Sequence, residues 1–159
     1  MAVITSLLKA ASGNSQRGRN PYMVENTIDI VATTVDPSAG DVVQAITIPA
    51  GTKIMAAGVE VVESATMNTG TDATVTLGAA DPDEYVTAFD IDGAADGAYA
   101  PSVTVSADVV LASDDTLDLT FAGTGASFTA GKLRVYAIMM DVSSQGDTSA
   151  DEVDRDTLA

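Results

Sequence analysis

Polar and apolar residues alternate with a period of two through much of this chain. Over 72–77, Ala73, Val75 and Leu77 fall on one side, and Asp72, Thr74 and Thr76 on the other. The same rhythm sets Val103, Val105, Ala107, Val109 and Leu111 against Thr104, Ser106 and Asp108, and Leu117, Leu119 and Phe121 against Thr116, Asp118 and Thr120. Successive strand side chains point to opposite faces, so this pattern predicts strands with one face on a core and one in water. Less regular strands are predicted at 27–35, 42–48, 53–63, 85–90 and 131–142. Turn grammar separates them: Asp36-Pro37-Ser38-Ala39-Gly40, Pro49-Ala50-Gly51, Asn68-Thr69-Gly70, Asp92-Gly93, Asp96-Gly97 and Gly123-Thr124-Gly125. Proline presets φ and glycine accepts positive φ, so each of these stops a strand for a stated reason. About eight short strands at this spacing predict an all-β fold, a single jelly-roll-like β-sandwich.

Two segments depart from that rhythm. Ile4, Leu7, Leu8 and Ala11 recur at helical spacing, which predicts a short amphipathic turn or two, too short to be stable alone in water. The stretch 12–21, rich in Ser, Gly, Asn and Arg and closed by Pro21, then reads as an extended arm. The second is the last strand. Leu133, Val135, Ala137 and Met139 form one face, and Tyr136, Ile138 and Met140 make the other apolar as well. A strand apolar on both faces is covered on both sides. The cover is either another part of this chain or a neighbouring subunit.

Charge divides the chain into three regions. Residues 1–22 hold Lys9, Arg17 and Arg19 and no acid; 23–142 form the β-rich body; 143–159 form an acidic tail with Arg155 as its one base. The net charge is −16, from 23 acids and 7 bases. That balance repels nucleic-acid phosphates and anionic lipid, and it repels other copies of the chain unless salt screens it. The Asp-rich, Lys-poor composition suits a saline habitat. No apolar run approaches the ~20 residues of a membrane span. Residues 1–11 lack a signal-peptide pattern, since Lys9 follows the apolar stretch.

Candidate chemistry is sparse. With 0 His and 0 Cys, the usual general base and the usual zinc and thiolate ligands are missing. A serine or threonine nucleophile would need Lys9, Lys53 or Lys132 as its base, and no motif supports that. The paired acids Asp83–Glu84 and Asp114–Asp115 are chain neighbours, which in strands face opposite ways, a poor arrangement for glycoside chemistry. Asp90, Asp92 and Asp96 form a weak candidate calcium site, because hard cations prefer clustered carboxylate oxygens. The string departs from the EF-hand pattern and lacks its distal Glu. The expectation is therefore no enzyme, no small-molecule substrate and no cofactor, calcium aside. Partner binding is the stronger expectation. Ile4, Leu7, Leu8 and Tyr22 would enter apolar grooves while Lys9, Arg17 and Arg19 steer the arm, and Tyr136, Ile138 and Met140 would supply an apolar contact.

A resemblance rests on the segments 48–62 (IPAGTKIMAAGVEVV), 68–78 (NTGTDATVTLG) followed by the Asp81-Pro82-Asp83 turn, and 128–136 (FTAGKLRVY). In this order they resemble small virion proteins of tailed bacterial and archaeal viruses, especially head decoration (cement) and head-fibre proteins, over roughly 48–138. The resemblance implies a β-sandwich on the outer surface of the head, bound to the major capsid protein, self-associated as a homotrimer, with arms reaching over neighbouring subunits. The alternatives are a tail- or fibre-associated host-recognition module, which exposed loop aromatics would favour, and a cell-surface structural protein, which a secretion signal would favour.

Overall fold

The computed structural model describes residues 3–4, 20–31, 35–68, 70, 72–100, 110–124 and 128–142. Its strands are β1 (Val3–Ile4), β2 (Tyr22–Asp29), β3 (Val42–Ile48), β4 (Thr52–Met67), β5 (Asp72–Gly78), β6 (Val86–Asp90), β7 (Tyr99–Ala100), β8 (Asp115–Thr124) and β9 (Phe128–Asp141). There is no helix among the described residues. Sheet A has the order β1-β3-β8-β5-β6 and sheet B the order β2-β9-β4-β7.

The pairings nest. β2 pairs with β9, β3 with β8, β4 with β7 and β5 with β6, all antiparallel. A long hairpin rolled up with its strands distributed over two sheets has this connectivity, which makes the body a jelly roll. The added pairs β4–β9 and β5–β8 close each sheet. The sandwich forms because the alternating positions supply one apolar face per sheet. Val43, Ile46, Ile48, Val75, Leu77, Leu117, Leu119 and Phe121 from sheet A meet Ile28, Ile54, Val59, Val61, Leu133, Val135 and Met139 from sheet B, all buried. Val, Ile and Leu at period two fill a pleated interface with few rotamers to lose.

Several boundaries differ from the sequence reading. The strand expected at 27–35 starts earlier and spans Tyr22–Asp29. β4 runs to Met67 and bends through several bulges. Gly123 and Thr124, expected in a turn, belong to the end of β8 and pair with Ala73 and Asp72 of β5; Gly125 lies outside the described residues. Val3–Ile4 is extended and pairs in parallel with Val42 and Val43, where a helical turn was expected. A sheet edge offers these residues backbone partners that an isolated turn lacks. Leu7, Leu8, Lys9, Arg17 and Arg19, the strand expected from 103 to 109 and the acidic tail lie outside the described residues.

The two sheets are also tied by a polar contact. In β3 the register shifts between Gln44 and Ile46, so Ala45 and Ile46 are both buried. Buried Asn26 on β2 donates its side-chain N–H to the Ala45 carbonyl oxygen at 3.0 Å. A bulge frees a carbonyl from the ladder, and a buried carbonyl needs a donor.

Candidate interaction surface

The outward face of sheet B is where the unusual features of this chain converge. The β2–β9–β4 register places Met23 beside Ile138, Ile138 beside Ala56, and Met140 beside Lys53. Val110 bridges to Lys53 beyond β4, and Tyr99 of β7 lies opposite Glu60. Four of the large apolar side chains most open to solvent belong to this surface: Met23 (62% exposed), Tyr99 (51%), Val110 (44%) and Met55 (37%). Met55 sits at the bulge between Ile54 and Ala56, which turns it outward. Ile138, Met140 and Tyr136 are half-buried between them.

An aromatic pair borders the patch. The Tyr99 and Tyr136 rings stack with centroids 5.6 Å apart and planes 12° from parallel, and their hydroxyls hydrogen-bond. Gly58 makes this possible. A Cβ there would lie 2.7 Å from the Ala100 carbonyl oxygen and 2.8 Å from Cζ of Tyr136. The ring therefore lies over bare backbone, as aromatic side chains do beside sheet glycines. Burial first, and then the bond to Tyr99, holds the Tyr136 phenol well above the usual tyrosine range.

The far end of the same face is charged. Lys132 Nζ lies 2.6 Å from Glu63 Oε2, and Arg134 3.3 Å from Glu60. The Glu63 hydrogen bond and charge raise the Lys132 pKa. With Lys53, these are all three bases among the described residues, and all lie on sheet B. The outward face of sheet A is different: Gln44, Thr47, Thr74, Thr76, Thr116, Asp118 and Thr120, with Val42 and Ala122 among them, make it mostly polar and without a base among the described residues.

The other sequence candidates fall as follows. Tyr136, Ile138 and Met140 share the apolar patch. Ile4 pairs with Val43 of its own chain. Tyr22 turns toward the core, and its hydroxyl is buried without a hydrogen-bond partner. Asp90, Asp92 and Asp96 are not gathered into one site: Asp90 accepts the Asp92 backbone N–H at 3.0 Å, and Asp96 accepts that of Ser64 at 2.7 Å. Among the described residues no three acidic groups are placed to hold a metal ion. Asp114 and Asp115 line a shallow groove of about 460 Å³ with Gln44, Thr47, Ile48, Pro49 and Thr116. Asp114 accepts the Ala50 N–H at 2.8 Å and Asp115 that of Thr116 at 2.8 Å, so both serve as turn acceptors. Sequence reasoning missed Met23, Met55, Tyr99 and Val110, because each sits singly at a strand start, a bulge, a two-residue strand or an isolated bridge. The available signal was Gly58 within the apolar run 54–59, a mark of close approach by another group.

No family model matches the chain, and no curated protein sequence does. Solved structures do share its fold. A chain from the capsid of Ralstonia phage GP4 is similar with a TM-score of 0.63 at 16% identity, covering 89% of this chain and 99% of that one. A chain from the cyanophage Pam1 capsid asymmetric unit is similar with a TM-score of 0.62 at 19% identity, over 82% and 90%.

Proposed function

We propose that this chain is a structural, non-catalytic component of a virus particle: a head decoration protein that binds the outer shell and stabilises it. The observation that carries this reading is the near end-to-end match, in both directions, between this jelly roll and a chain of a phage capsid. The family resemblance of the 48–62, 68–78 and 128–136 segments points the same way. So does a composition without His or Cys, which leaves the usual reactive side chains out. Binding the major capsid protein only in its assembled lattice would stabilise that lattice by mass action. The acidic body, repelled by the packaged polyanion, suits the exterior.

Electron microscopy of native particles carrying a tagged copy tests this. Sandwich-sized density on the outside of the head, seated across seams between shell subunits, is the expected result. Density on the tail would replace the reading with a host-recognition or adhesion role, and particles lacking the chain would end it.

A further inference from the structure

With 0 Cys, 0 Trp and 0 His, this chain leaves tyrosine as its most readily oxidised side chain in single-electron chemistry. Its methionines take up oxygen instead, in a two-electron step. Of the four tyrosines, Tyr22 has its hydroxyl buried and Tyr85 is 7% exposed. The other two are in contact. We propose that Tyr99 and Tyr136 form an oxidative modification site, where a one-electron oxidant driven by peroxide, of the haem peroxidase class, joins the two rings carbon to carbon as an intramolecular dityrosine. The inference does not rest on the decoration reading.

Geometry carries it. The rings stack at 5.6 Å and 12° from parallel, and their hydroxyls hydrogen-bond. Among the described residues this is the one contact between two tyrosine rings. Hydroxyl contact brings together the ring edges that carry the oxygens. The ortho carbons beside those oxygens hold much of the unpaired spin of a tyrosyl radical, so the carbons that couple are on the facing edges. Tyr99 is 51% exposed and sits on the two-residue edge strand β7, so an oxidant reaches it and its ring has room to close on its neighbour. Tyr136 is half-buried and held over the bare backbone of Gly58. A net charge of −16 keeps copies apart at low salt, which favours coupling within a chain over coupling between chains.

The step balances. The oxidant first takes an electron from Tyr99, whose phenolic proton leaves. A hydrogen atom then crosses the hydroxyl contact from Tyr136 to the Tyr99 oxygen, which moves the radical inward and restores Tyr99. A second oxidation of Tyr99 places a radical on each ring, and a bond forms between their ortho carbons. Each of those carbons then gives its proton back to its own ring oxygen. The pair loses two hydrogens in all, and one hydrogen peroxide becomes two waters. Tyr99 lies opposite Glu60 and Tyr136 opposite Gly58, so the new bond ties β7 to β9 across β4. In a chain without disulfides it is a covalent staple, which restricts the unfolded ensemble as any cross-link does.

Treating the full chain with horseradish peroxidase and hydrogen peroxide, dilute and at low salt, tests this. The expected product is a monomer lighter by two hydrogens, with dityrosine fluorescence and a raised melting temperature. Trypsin separates the pair, because Lys132 and Arg134 precede Tyr136 and no Lys or Arg lies between Ile54 and Gly131. The digest should therefore join peptide 54–132 to peptide 135–155, with fragmentation placing the bond at Tyr99 and Tyr136. Tyr99→Phe and Tyr136→Phe should each abolish the fluorescence, and Tyr22→Phe should leave it. The peptide map of the unsubstituted chain decides the matter even where a variant fails to fold. An uncoupled chain, a bond mapped to Tyr22 or Tyr85, products joined mainly between chains, or fluorescence indifferent to both variants would overturn the site. A coupled chain that melts no higher would overturn the staple. None of these outcomes touches the decoration reading, which stands or falls on particle density.

Discussion

Asp118 occupies a position where a carboxylate costs stability. It sits on the outward face of β8, half-buried, with Gln44 and Gly78 across the sheet. Burial raises its pKa, the hydrogen bond donated by the Thr116 hydroxyl at 2.6 Å lowers it, and Asp115 raises it again, the net shift being upward. A folded pKa above the unfolded value means that the favourable contribution is complete below the unfolded pKa and is lost as pH rises through the folded one. At neutral pH the ionised group therefore opposes folding. Asp118→Asn keeps an acceptor for Thr116 and removes the charge. Its melting temperature should rise by roughly 1–3 °C at pH 7, after allowance for solvent screening, and match the parent near pH 3, where Asp118 is protonated. Melts at both pH values check this; a lower melting temperature at pH 7 would refute it. At this scale alternation was a good guide. The period-two pattern assigned Leu117, Leu119 and Phe121 to the core and Thr116, Asp118 and Thr120 to the outside, where they are found. It was silent on residues whose role comes from a partner distant in sequence, such as Asn26, Gly58 and Tyr99.

At the scale of elements, strands that pair far apart in sequence must be held in register by something other than alternation. In this fold Asn26 does part of that work, joining β2 of sheet B to the bulge of β3 in sheet A. Asn26→Leu would leave the buried Ala45 carbonyl without this donor, at a cost of about 1–3 kcal/mol, more than the added apolar burial returns. Urea unfolding should show the midpoint fall while the m-value, and so the surface exposed on unfolding, stays constant. An unchanged midpoint would mean that water or a backbone shift satisfies the carbonyl. The elements themselves were legible wherever a run was long and regular, as in β5 and β8. β7 was not, because two residues carry no periodicity. At Ile4 the backbone is extended because the β3 edge offers it partners, which helical spacing over 4–11 does not register; the rest of that stretch lies outside the described residues. The two-sided apolar pattern of β9 corresponds to an inward face in the core and an outward face that is half-buried in the middle of the apolar patch.

For the molecule as a whole, charge is the property most plainly written in the sequence, and its placement is what the fold adds. Composition alone implies repulsion; the jelly roll sorts it, with the described bases on sheet B and a base-free, mostly polar face on sheet A. Compacting a chain of −16 brings like charges together, so screening should stabilise the folded state. From 0.01 M to 1 M salt the Debye length falls from about 30 Å to about 3 Å. The melting temperature in potassium chloride should accordingly rise by several degrees, with most of the gain below about 0.2 M, where the screening length drops beneath the spacing of neighbouring surface charges. A flat profile would show that net repulsion is not a significant term. A rise that continued steeply into multimolar salt would mean something else: pairwise screening is then nearly complete, so further stabilisation must come from hydration and ion uptake by the carboxylate surface. That second shape is what an Asp-rich surface adapted to a saline habitat should give, and the first is what net charge alone requires, so one titration separates the two.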